Sequence, residues 1–150
     1  MTKFLKWLLP LVAILIAAAA CGPKAKAPKV LILYYSQSAN TKTVAEEFAS
    51  RLGADIEEIL PIEPYGDTYQ EVIERSRRER ELEILPKVQP ISSDIAAYDI
   101  IFLGYPVWFG TYALPVASLL SDIDLSGKKV VPFCTFGSGG LASSSRDLSA

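Results

Sequence analysis

The chain alternates between short apolar runs and amphipathic stretches. Val30-Leu31-Ile32-Leu33-Tyr34-Tyr35 is continuous and apolar, which predicts a buried strand. Val44, Ala45, Phe48, Ala49 and Leu52 then recur at helical spacing, so Thr41–Leu52 reads as a helix that Gly53 ends. Ala54–Leu60 is a more polar strand, which suits a sheet edge. Pro61–Asp67 is a loop, Thr68–Leu85 a densely charged helix and Pro86–Asp94 another loop. Asp99–Gly104 is a buried strand, Tyr105–Ala113 a loop and Leu114–Ile123 a helix. Lys129–Thr135 is a strand despite its Pro132, a residue that cannot donate to a ladder. Leu141–Ala150 begins a last helix. Strands alternating with helices predict an α/β fold, a parallel sheet covered on both faces. Ligands of such sheets sit beyond the C-terminal strand ends. Three segments occupy those ends: residues 36–41, 104–111 and 135–140.

The mixed charges of Thr68–Leu85 read as a solvated face laced with i,i+4 pairs. The net charge of −2 with no long basic run argues against a nucleic-acid partner. The absence of histidine excludes Ser-His-Asp and Cys-His catalysis and most zinc sites.

The N-terminus is read separately. Lys3 and Lys6 precede an apolar stretch, Leu8–Ala20, of 13 residues. As a helix it spans about 20 Å, short of the roughly 30 Å hydrocarbon core. With small residues before Cys21 it has the layout of a signal peptide over residues 1–20. Ala18-Ala19-Ala20-Cys21-Gly22 resembles a bacterial lipobox, with Ala18 where a larger aliphatic residue is usual. The resemblance implies lipid on Cys21 and an exported, membrane-anchored lipoprotein. Residues 21–29 then form the lipidated cysteine and a tether of about 25 Å, and residues 30–150 the domain. Loss of Lys3 and Lys6 takes the net charge from −2 to −4. With Cys21 lipidated, Cys134 has no partner for an internal disulfide and reads as a core thiol.

The first strand-end segment, Ser36-Gln37-Ser38-Ala39-Asn40-Thr41, joins a strand to a helix N-terminus. Unpartnered N–H groups and the positive dipole end meet three hydroxyl side chains there, with no carboxylate. That set suits a phosphate and suits a metal poorly. The second, Gly104-Tyr105-Pro106-Val107-Trp108-Phe109-Gly110-Thr111, is aromatic and suits a planar ring. The third, Thr135-Phe136-Gly137-Ser138-Gly139-Gly140, offers free backbone and another aromatic. A ligand with a phosphate at one end and a flat ring at the other uses all three.

Rival patterns fail. The P-loop Gly-x-x-x-x-Gly-Lys-Ser/Thr and the dinucleotide Gly-x-Gly-x-x-Gly are absent. A receiver domain needs acids where Ser36 and Gly104-Tyr105 stand. A Cys-x5-Arg phosphatase needs arginine at Gly140. Gly137-Ser138-Gly139 lacks the spacing of a nucleophile elbow.

Over residues 29–150 the chain resembles the flavodoxin family, which binds FMN. Its phosphate loop is matched by residues 34–41, its ring loop by 104–111 and its ring-edge loop by 133–140. The resemblance implies a doubly wound sheet in the order 2-1-3-4, with a fifth strand missing and the strand Val130–Thr135 left as an exposed edge. It implies that Ser36, Gln37, Ser38, Ala39, Asn40 and Thr41 hold the phosphate. Pro106, Val107, Trp108, Phe109 and Gly110 would meet the ring, with Trp108 or Phe109 stacked on it. The Gly110 backbone would change its hydrogen bond as flavin N5 gains a proton. Thr135, Phe136, Gly137 and Gly139 would border the ring. Ala39 stands at the pattern's glycine, which opposes a positive φ there. The implied function is electron transfer to a redox protein partner. An FMN-dependent NAD(P)H or quinone reductase, and a truncated module without flavin, stay open as alternatives.

Overall fold

A computed structural model describes residues 26–137 and 141–148. The signal segment, Cys21 and Gly139 lie outside the described residues.

Strand β1 (Val30–Tyr34) is the centre of the sheet. Leu31, Ile32 and Leu33 are fully buried, which is why this run carries no polar alternation. β1 pairs in parallel with β2 (Asp55–Glu58) on one side and β3 (Ile100–Trp108) on the other. A short β4 (Thr111–Tyr112) folds back antiparallel on the end of β3. β5 (Lys129–Thr135) runs parallel to β3. The parallel strands therefore lie in the order β2-β1-β3-β5, the flavodoxin-like order expected from the resemblance. The polar β2 is at an edge, as its composition predicts. Among the described residues β5 pairs with β3 alone, and Val130 is exposed. Among the described residues no second ladder calls on an N–H at Pro132, which suits a proline there.

Both faces are covered. Helix α1 (Asn40–Leu52) lays Ala45, Phe48 and Ala49 over Ile32, Tyr34, Phe102 and Phe133. The other face buries Leu31, Leu33, Tyr35, Ile101, Leu103 and Tyr105. It packs against Val72 of α2 (Tyr69–Glu81) and Val116 and Leu119 of α3 (Leu114–Asp122). The last described helix is α4 (Leu141–Asp147). Gly104 sits where the ring of Phe133 crosses the sheet; a Cβ there would lie 2.2 Å from Cζ of that ring. The strand after α2 thus needs glycine for packing.

The sequence reading of the second strand, Ala54–Leu60, is trimmed to Asp55–Glu58, and two boundaries differ by more. α2 ends at Glu81 and not at Leu85. Leu82, Ile84 and Leu85 are exposed, so no core contact extends the helix, and Pro86 disfavours helical backbone before it. β3 continues to Trp108, through residues read as loop, and turns into β4.

Glu57 fastens the loop after α2 to the β2 edge. Its carboxylate accepts N–H bonds from Ser92 and Ser93 and the Ser92 hydroxyl. Burial alone would raise its pKa, but the serine hydrogen bonds outweigh this and hold it below the usual value of 4.5. A depressed folded pKa means stability that is present above the unfolded value and lost as pH falls through the folded one. Stability should therefore decline as pH drops below about 4.5. Glu57→Gln should flatten that decline in urea titrations at a series of pH values.

Candidate functional site

A cavity of about 920 Å³ opens at the C-terminal ends of β1, β3 and β5. Gln37, Ser38 and Asn40 line it from the first segment. Pro106, Val107, Trp108, Phe109 and Gly110 line it from the second, and Thr135, Phe136 and Gly137 from the third. The three segments chosen from the sequence thus meet around one space.

The first segment is built around the head of α1. Ala39 is the N-cap, with φ 63° and ψ −6°, and it supplies no side-chain cap. The first turn of α1 holds no acidic residue. Ser36 Oγ accepts the Lys42 N–H at 3.2 Å, and Asn40 Nδ2 donates to Ser38 Oγ at 3.2 Å. The helix head is thereby shaped but left open at its positive end. α2 makes the contrast: Thr68 and Glu71 close a full capping box over its first turn. An anion is favoured at α1 and not at α2.

Ser36, Ala39 and Thr41 shape this segment without lining the cavity. Thr41 is 1% exposed, and its Oγ1 lies 2.8 Å from Thr135 Oγ1, which pins the first segment to the third. Gln37 is also a tie: its Oε1 accepts from Tyr35 Oη at 2.6 Å and its Nε2 donates to the Gly66 carbonyl at 3.1 Å.

Ala39 occupies left-handed backbone despite its Cβ, at the position where the family pattern has glycine. That conformation costs a non-glycine residue about 1–2 kcal/mol, partly offset by the lower unfolded-state entropy of alanine. Ala39→Gly should therefore stabilise the protein by about 0.5–1 kcal/mol, read as a higher urea midpoint with an unchanged slope.

The second segment is a strand end and a tight hairpin. Phe109 and Gly110 have φ of 52° and 82°, the pair of positive values that a two-residue I′ connection requires. Glycine meets that requirement freely, whereas Phe109 is held there. Arg80 reaches from α2 to donate to the Trp108 carbonyl at 3.4 Å, and its guanidinium lies 5.6 Å from the Phe109 ring centroid. The Trp108 indole meets Tyr35 and Tyr65 edge-on, at centroid distances of 5.5 Å and 5.0 Å. Phe109 is left half-exposed.

Behind Trp108 lies a polar brace. Tyr65 donates to Glu79, which pairs with Arg75 at 2.8 Å. Arg75 also donates to the carbonyls of Glu63 and Pro64 and lies 4.3 Å over the Tyr65 ring. Burial and the Glu79 hydrogen bond push the Tyr65 phenol well above its ordinary pKa. Burial does the same to Tyr35, against the opposing field of Arg75. Both rings stay neutral and act as a rigid backing. Cys134 is half-buried, and burial raises its thiol pKa, so it lacks the thiolate character of a reactive cysteine.

One wall of the cavity escaped the sequence reading. Asp67, Thr68, Tyr69, Val72, Ile73 and Ser76 line it from α2 and the turn before it. The charges of this helix masked the stripe at 69, 72, 73 and 76, whose i,i+3,i+4 spacing was the available signal.

A doubly wound sheet with an uncapped helix head and an aromatic shelf at its strand ends defines a nucleotide-binding class of α/β protein. The chain belongs to the flavodoxin family, whose model, described as Flavodoxin, matches residues 29–150. Among solved structures it is similar to a flavoprotein of Lactobacillus acidophilus NCFM in complex with FMN. The two are 28% identical with a TM-score of 0.74, covering 81% of this chain and 84% of that one. The apo-form of the flavoprotein from the same organism is 30% identical, with a TM-score of 0.64 and coverage of 83% and 85%. A Bacteroides eggerthii protein provisionally designated a flavoprotein is 29% identical, with a TM-score of 0.74 and coverage of 81% and 79%. No curated protein matches the chain.

Proposed function

We propose that this protein binds FMN and transfers electrons to or from a redox protein partner. The observation that carries the reading is the convergence of an uncapped, acid-free helix head with an aromatic shelf around one cavity. The FMN complex of the similar Lactobacillus protein supports it.

The residues fit the cofactor. The head of α1, with Ser38 and Asn40, would hold the phosphate through N–H and side-chain donors. Ser36 and Thr41 would keep that turn in shape. Trp108 and Phe109 would border the ring, and Thr135, Phe136 and Gly137 its edge. When bound, FMN supplies the redox chemistry. The chain's part is to bind, orient and set the electrostatic surroundings. Arg80 puts a cation beside the ring segment, and a cation there favours a negatively charged, reduced flavin.

The lipobox-like leader supports export and a lipid anchor on Cys21, with the domain tethered near a membrane. Cys21→Ser should release the protein from the membrane fraction; retention there would remove the anchor.

The primary test is the visible absorption of the purified protein before and after FMN addition. Flavin bands retained through desalting support the proposal. A folded protein that retains no flavin overturns it and favours a non-catalytic module.

A further inference from the structure

The tether meets the domain at one pole and the cavity opens at the other. Lys29 is the last residue before β1, and it is clamped. Its N–H donates to Asp99 Oδ2 at 2.7 Å, and its carbonyl accepts from the N–H groups of Asp99 at 2.9 Å and Ile100 at 3.2 Å. Its ammonium lies 3.8 Å from the Asp55 carboxylate and 4.4 Å from the Tyr98 ring centroid. These partners stand at or just before the starts of β2 and β3, the N-terminal end of the parallel sheet. Lys26, Ala27 and Pro28 are exposed. The exit point is thus fixed to the sheet, and an anchor upstream of it holds this pole.

β3 measures the distance from that pole to the cavity. Ile100 pairs with Val30, and Trp108 at the other end of the same strand lines the cavity. At about 3.3 Å per residue the two levels are about 26 Å apart. The hairpin at Phe109 and Gly110 lies further on. Residues 21–29, fully stretched at about 3.1 Å per residue, reach about 25 Å. Turning the cavity onto a bilayer would lift Lys29 at least about 26 Å from it. That exhausts the tether and leaves no reach into the hydrocarbon core. The charges of the exit pole are mixed: Lys29, Lys128 and Lys129 stand there beside Asp55, Asp94 and Asp124. Tether length, and not an electrostatic field, therefore sets the orientation.

We infer that the tether holds the cavity away from the bilayer, so that the redox partner is a protein domain standing in the aqueous phase and not a redox group dissolved in the lipid. The inference rests on the lipid anchor at Cys21 and on the FMN reading of the cavity.

The test uses the mature lipidated protein, loaded with FMN, in phospholipid vesicles that carry a nickel-chelating lipid. A nitroxide is placed on one pole at a time, through Ala97→Cys at the exit pole or Gln70→Cys at the head of α2 beside the cavity. Each carries Cys134→Ala, so that a single thiol is labelled. Ala97 and Gln70 are exposed, so neither label disturbs packing. Relaxation of the nitroxide by lipid-bound nickel should be several-fold stronger at position 97 than at position 70. Inserting about twelve Gly and Ser residues between Gly22 and Pro23 should shrink that difference, because the reach then exceeds the depth of the domain. Equal or stronger relaxation at position 70 overturns this inference alone, as does a difference that the longer tether leaves unchanged. In a second, anaerobic readout, the photoreduced flavin should pass its two electrons quickly to two ferricyanide ions in solution. It should pass them only slowly to one ubiquinone-10 in the bilayer, which would gain two protons with them. Equal rates with both acceptors overturn the assignment of the partner. Protein that stays in solution overturns the anchor and this inference with it. Failure to take up FMN overturns the cofactor reading and the class of partner with it.

Discussion

Asn40→Asp should change stability and FMN affinity in opposite directions. Asn40 is the first residue of α1 and lines the cavity. A carboxylate at that position complements the helix dipole and should stabilise the flavin-free protein by about 0.3–1 kcal/mol. The local hydrogen bond survives, because the Ser38 hydroxyl can donate where it now accepts. The same carboxylate would stand against the FMN phosphate. At an effective dielectric near 20, two like charges about 5 Å apart repel by roughly 3 kcal/mol. FMN binding should therefore weaken about 30- to 150-fold. Riboflavin, which has the ring without the phosphate, should bind the variant and the wild type equally. Isothermal titration with both flavins, alongside urea unfolding, measures all three quantities. An unchanged FMN affinity would move the phosphate away from the head of α1.

Trp108→Ala should lose FMN through desalting and also destabilise the fold. The indole meets Tyr35 and Tyr65 edge-on, and each such pair contributes about 0.5–1.5 kcal/mol beyond area burial. Truncating a core tryptophan costs about 3–5 kcal/mol, and this one is half-buried, so about 2–4 kcal/mol is expected. Trp108→Phe keeps an aromatic edge against both tyrosines and should recover most of the stability. FMN affinity in that variant then isolates the contact with the cofactor. Affinity equal to wild type in both variants would remove Trp108 from the ring site.

The strands and helices of this chain were legible because their signals are local. Val30–Tyr35 announces a doubly buried strand by lacking polar alternation, and Gly53 ends α1 in left-handed backbone. The first strand-end segment was legible as a turn into a helix for the same reason: hydroxyl residues favour turns and helix starts. Ala39 shows where local reasoning stops. Its Cβ argues against a positive φ, yet the surrounding turn imposes one, with both Thr43 N and Thr43 Oγ1 bonded to its carbonyl.

The length of β3 was not legible. Residues 105–108 look like a loop because a proline between two aromatics interrupts any period. They form strand because β5 pairs with β3 as far as Pro106, and Tyr112 and Thr111 pair with Val107 and Trp108. Those bonds come from residues distant in sequence or across a turn, and no window of β3 itself records them.

By itself, then, the sequence determined the alternating α/β plan, the three strand-end segments and the chemistry each offers, since periodicity and side-chain type are local properties. Only the tertiary structure decided that Trp108 is anchored by Tyr35 and Tyr65, that Arg80 reaches the hairpin, and that α2 forms a wall of the cavity. Each depends on where one element's face lands on another, and that is set by packing across the sheet, not by the spacing of residues along the chain.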